Sequence, residues 1–178
     1  MSNFVELGKI ESSRRHLEAG IELFFERKDP LVVYTVAWAA YQVLSDLCKS
    51  RGIKRQMEDS DILKEMGVHG EVMAAFRKPR NFMQHADRDP NDLVKFFPDS
   101  SFLMLLLAVE LYQSLVPGNF LPGRIMQMWF FVKYPERAPV EIAAQIRALP
   151  HQPSADDYEL FVHMLQSAAN NSLQAGWP

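Results

Sequence analysis

The stretch 29–52, DPLVVYTVAWAAYQVLSDLCKSRG, carries both the punctuation and the periodicity of one long helix. Asp29 offers an N-cap side chain, and Pro30, which has no N–H to satisfy, suits the first helical position. Val33, Val36, Ala37, Ala40, Val43, Leu44 and Leu47 recur at helical spacing. The small residues Ala37, Ala39 and Ala40 allow a neighbouring helix to approach closely. Gly52, just after Arg51, accepts the left-handed backbone that closes a helix. The spacing predicts a helix over about 30–50, and a helix that needs partners.

Those partners are legible on both sides. Upstream, Leu17, Ile21, Phe24 and Phe25 fall on one stripe of a helix expected over about 3–27. Downstream, a short helix is expected over 60–66, capped by Ser60 or Asp59, and a longer one from near Gly70 toward Ala86, with a kink or restart at Pro79. A turn-rich loop follows at Asp87-Arg88-Asp89-Pro90-Asn91-Asp92. Asp99 or Ser100 caps an apolar helix over 101–116, which Pro117-Gly118-Asn119 ends. Three further helical pieces are expected over 124–133, 139–148 and 154–173, the last capped by Ser154 with Asp157 three residues on. No run alternates as a strand does, so the fold class is all-α.

Composition narrows the function. The chain has 178 residues, 48% hydrophobic and 23% charged, which suits a folded domain and excludes a disordered one. Its net charge of −3 argues against a broad phosphate-binding footprint and leaves room for a small basic site. Cys48 is the one cysteine, so no internal disulfide and no cysteine metal cluster can form; it reads as a buried small hydrophobe. His16, His69, His151 and His163 lack metal-ligand spacing. No metal and no cofactor are expected. Lys49, Arg51, Lys54 and Arg55 read as a solvated helix end. Met126, Met128, Trp129, Phe130 and Phe131 read as a buried or interface helix, the sharper alternative being a ligand pocket. The start of the chain is no signal peptide, and the apolar run Phe102 to Val109 is too short for a membrane span. A cytoplasmic protein with no membrane contact is expected.

The chemistry concentrates in Arg77-Lys78-Pro79-Arg80-Asn81-Phe82-Met83-Gln84-His85. At about 100° per residue, Arg77, Asn81 and His85 share a helical stripe, and Arg80 lies about 140° from His85. Its long side chain, or a backbone offset at Pro79, would bring Arg80 to the same cleft. Histidine exchanges protons near neutral pH, guanidinium grips a phosphate and stabilises charge developing on it, and Asn orients either.

The six residues Arg80 to His85 resemble the signature of the HEPN superfamily (higher eukaryotes and prokaryotes nucleotide-binding): Arg, a polar residue, then His after four to six intervening residues, on a helix of an all-α chain. The resemblance implies an up-and-down helical bundle of four to five helices over about 1–116, with 117–178 as a helical C-terminal extension of one domain. It implies a metal-independent endoribonuclease or RNA-binding protein of a toxin–antitoxin or phage-defence kind, acting as a homodimer. Arg80, Asn81 and His85 would then be catalytic, and Arg77 and Lys78 would hold the RNA substrate. An antitoxin or a nucleotidyltransferase is the partner the family implies. Some members carry an adenylylated Tyr two residues after the His; Asp87 stands there, so that modification is not expected at this position. The alternative is a non-catalytic helical module that binds a nucleotide or a protein partner.

Overall fold

A computed structural model describes residues 4–85, 87–88 and 90–174, with side chains to 170. Among them are α1 (Lys9–Phe25), α2 (Pro30–Ser50), α3 (Asp61–Glu65), α4 (His69–Gln84), α5 (Ser100–Leu115), α6 (Leu121–Lys133), α7 (Val140–Arg147) and α8 (Tyr158–Gln174), with a 3-10 turn at Pro135–Arg137 and no strand. The protein is an all-α helical bundle.

α2 forms as its punctuation dictates. The Asp29 carboxylate accepts from Leu31 N–H at 2.8 Å and Val32 N–H at 3.4 Å. At its far end Gly52, at φ 67°, lets Ile53 N–H reach the Cys48 carbonyl at 2.9 Å. α3 closes in the same way on Gly67, at φ 72°, with Val68 N–H on Leu63. α1 uses the same turn without a glycine. Lys28 N–H bonds the Leu23 carbonyl at 2.9 Å, and Arg27 sits at φ 57°. A side chain in that conformation costs about 1 kcal/mol or more.

α1, α2 and α5 pack together at the centre. Leu17 and Ile21 of α1, Ala37 and Leu44 of α2, and Leu105 and Ala108 of α5 are fully buried. Burying each of the larger aliphatic side chains contributes roughly 1.5–3 kcal/mol. Gly20 makes room for the Leu105 side chain, since a Cβ there would stand 2.9 Å from Leu105 Cδ2. α2 is apolar and long enough to cross a membrane, with mean hydropathy 1.3, but half of that window is buried in the bundle, the condition of a core helix.

The last third contributes to this same core. α6 and α8 pack on each other and on α1. Trp129 and Phe161 are buried, Trp129 edge-on to Phe24 at 4.7 Å and Phe161 stacked on Phe25 at 5.1 Å. Trp129 Nε1 donates to the Ala155 carbonyl at 3.0 Å. The Met–aromatic run is core on one side: Met126 and Trp129 are buried, while Met128, Phe130 and Phe131 are half-buried.

Several boundaries differ from the sequence expectation. α1 begins at Lys9, with 4–8 non-helical; the expected start at Asn3 lies outside the described residues. α6 begins at Leu121 because Pro122 is tolerated in a first turn. α8 begins at Tyr158: the Asp157 carboxylate accepts from Leu160 N–H at 3.1 Å, whereas the Ser154 hydroxyl accepts from Asp156 N–H at 3.2 Å, ahead of the helix. Asp99 precedes α5 without a side-chain cap bond.

Candidate functional site

α4 lies against the bundle through one face. Met73 and Pro79 are buried, and Phe76 and Met83 are half-buried, an inner stripe at helical spacing. Pro79 does not kink the sequence into two helices, since α4 runs unbroken from His69 to Gln84. Proline brings no N–H to the ladder, and burial of its ring against the bundle offsets part of that loss.

An unbroken helix corrects the expected backbone offset. Arg77, Lys78 and Asn81 are exposed on the outer face, and Arg80 is half-buried at its edge. His85 is the C-cap, half-buried, at φ −121° and ψ 38°; its N–H bonds the Asn81 carbonyl at 3.1 Å. Along the helix, Arg80 and His85 point about 140° apart. What the fold does bring together is Arg80 and Asn81: Arg80 Nη1 donates to Asn81 Oδ1 at 3.0 Å. Asn81 thus orients the guanidinium, while its backbone holds the residue that carries the imidazole.

The inner side of Arg80 meets α2. The Tyr34 hydroxyl donates to the Phe76 carbonyl. Burial pushes this phenol up to about 12, with Arg80 beside it pulling the other way. Phe96 packs edge-on against Tyr34 at 5.6 Å, and Trp38 stacks on it at 6.0 Å. Among the described residues, Arg80 Nε is buried without a hydrogen-bond partner, as are Trp38 Nε1, the Tyr41 hydroxyl and Glu58 Oε2. Burial, and then Glu58 beside it, hold the Tyr41 phenol above its ordinary range, against Arg55 and Arg77.

Charge distinguishes α4 from the other basic cluster. Arg55 is paired with Asp59 at 2.8 Å and Lys54 with Asp61 at 2.7 Å. Arg77, Lys78 and Arg80 form no ion pair among the described residues. Unpaired cations on one helix, Arg77 and Lys78 on its outer face and Arg80 toward α2, favour an anionic partner. Asp87 and Asp92, in the loop beyond His85, are exposed; Asp89 lies outside the described residues.

No family model matches the chain, and no curated protein or solved structure matches it.

Sequence reading missed the α2 side of this seam. Tyr34, Trp38 and Tyr41 are spaced i, i+4 and i+7, a polar-aromatic stripe that was visible within the quoted stretch. Glu58 carried no such signal, because a loop carboxylate meets α2 only through the fold. Its Oε1 accepts from Ser45 Oγ at 2.8 Å. His69 opens α4, with its Nε2 hydrogen-bonded to the Glu58 carbonyl at 2.8 Å. Among the described residues no cluster of His, Cys, Asp and Glu has the geometry of a metal site.

Proposed function

We propose that the α4 edge faces RNA, and that the protein is a HEPN-like, metal-independent endoribonuclease or RNA-binding protein of a toxin–antitoxin or phage-defence kind. The observation that carries this reading is that Arg77, Lys78 and Arg80 of α4 form no ion pair among the described residues, with Arg80 oriented by Asn81 one turn before His85. Arg77 and Lys78 would hold the backbone phosphates. Arg80 would stabilise the charge on the reacting phosphate.

His85 would take the proton of a ribose 2′-hydroxyl. The freed oxygen forms a bond to the adjacent phosphorus as the bond from phosphorus to the 5′ oxygen breaks. A protonated histidine returns a proton to that leaving oxygen, giving a 2′,3′-cyclic phosphate and a 5′-hydroxyl. Because Arg80 and His85 diverge on one helix, the complete site would be shared between two copies of a cytoplasmic homodimer. An antitoxin or a nucleotidyltransferase is the partner class that goes with this reading.

The divergence of Arg80 and His85 also favours a second reading: a non-catalytic module for a nucleotide or a protein partner, in which Arg80 and Asn81 are a structural pair.

RNA cleavage in EDTA separates the two. Wild type should cleave, and His85→Ala and Arg80→Ala should each lose about 100-fold or more, the scale of a lost general base or charge stabiliser. Product ends should be cyclic phosphates. A well-folded wild type that cleaves none of a varied set of RNAs would support the second reading instead.

A further inference from the structure

We propose that the cavity around Arg27 and Lys133 binds a small organic anion, a phosphate or carboxylate group carried on an aromatic ring. This inference is independent of the α4 reading. The cavity, about 260 Å³, opens between the α1–α2 turn, the start of α5 and the end of α6. That volume holds a ring with one charged substituent.

Two of its three cations are unpaired. Arg27 and Lys133 form no ion pair among the described residues, and Lys28 meets only Glu26, at 3.6 Å. Both unpaired cations rest on aromatic rings. Arg27 Cζ is 5.4 Å from the centre of Tyr158, and Lys133 Nζ is 5.1 Å from Trp129 and 5.5 Å from Phe102. The ring faces hold these charges in place without cancelling them. Asp99 is the one carboxylate in the lining, against the two unpaired cations Arg27 and Lys133. Phe24, Pro30 and Val33 give the remaining wall an apolar surface for the body of the ligand.

The backbone at Arg27 points the same way. α2 and α3 close with glycines at φ 67° and φ 72°, in the same hydrogen-bonded turn. α1 closes with an arginine at φ 57°. The left-handed conformation is tolerated there by a residue whose side chain lines the cavity, where glycine would be free of strain. Strain retained against an unstrained alternative marks a position under a second demand. Here that demand is the guanidinium.

Calorimetric titration of the full chain tests the proposal with four probes: 1-naphthyl phosphate, 1-naphthoate, neutral 1-naphthol and inorganic phosphate. At least one ring anion should bind about 10-fold more tightly than either 1-naphthol or inorganic phosphate, which isolates the joint demand for ring and charge. Which of the two ring anions is tighter distinguishes a phosphate site from a carboxylate site. Arg27→Asn, which keeps a residue tolerant of positive φ, and Lys133→Gln should each weaken the ring anion by about 10-fold. Asp99→Asn should tighten it, a gain that loss of folding cannot imitate. No binding of either ring anion at millimolar concentration, equal binding of 1-naphthol, or affinities unchanged in all three variants would overturn the proposal.

Discussion

Two arginines in this protein sit where their local geometry alone would not put them. Arg27 occupies a left-handed turn position that glycine fills elsewhere in the chain, and Arg80 buries its Nε without a partner among the described residues. Arg27→Gly should therefore raise stability by about 1 kcal/mol in urea unfolding, by relieving the positive φ, while removing a cavity cation. An unchanged or lowered midpoint would show that the Arg27–Tyr158 contact outweighs the strain. Gly20 has the opposite sensitivity. Its missing Cβ makes room for Leu105, so Gly20→Ala should destabilise by up to about 2 kcal/mol, the overpacking cost less the roughly 1 kcal/mol that alanine gains as the better helix former. Thermal unfolding of the two variants, side by side, checks both signs.

At the scale of elements, α2 and α1 are stabilised locally by different means. α2 depends on its cap, and Asp29→Ala should cost about 1 kcal/mol through the orphaned Leu31 and Val32 N–H groups. α1 lacks a side-chain cap but gathers charge in its first turns: Arg14 and Arg15 both bond Glu11, at 2.8 Å. These hydrogen bonds lower the Glu11 carboxyl from 4.5 to about 2. A depressed carboxyl contributes stability that is complete above its unfolded value and lost as pH falls toward the folded one. The contribution should therefore be present above about pH 5 and fade between 4.5 and 2. Both partners are partly exposed, so its size is under about 1 kcal/mol. Urea unfolding of Glu11→Gln and wild type should differ at pH 6 and converge at pH 2; a difference that persists in acid would remove Glu11 as the cause. α4 differs from both in that Arg77, Lys78 and Arg80 form no ion pair among the described residues, which leaves them free for an anion.

For the molecule as a whole, the aromatic cluster makes the chain indivisible near residue 116. Phe24 and Phe25 of α1 are covered by Trp129 of α6 and by Tyr158 and Phe161 of α8. Truncation after Val116 would expose them. The fragment 1–116 should show helical circular dichroism with a broadened, non-cooperative thermal transition, and Trp129→Ala in the full chain should cost about 3–5 kcal/mol. A fragment that unfolds as sharply as the full chain would make the last third a true appendage.

The sequence by itself determined the all-α class, the extent of α2 and the residues of its cap, because capping and helical periodicity are local and α2 obeys both. It also singled out Arg80, Asn81 and His85 as a group, since a short helical spacing is readable from residue types alone. Only the tertiary structure decided how that group is arranged. Burial of Pro79 against the bundle keeps α4 continuous, so Arg80 turns toward Tyr34 while His85 ends the helix on another face. The cavity at Arg27 was equally hidden. Its cations and rings come from the α1–α2 turn, α5, α6 and α8, and a contact between segments about 100 residues apart leaves no periodic trace in either.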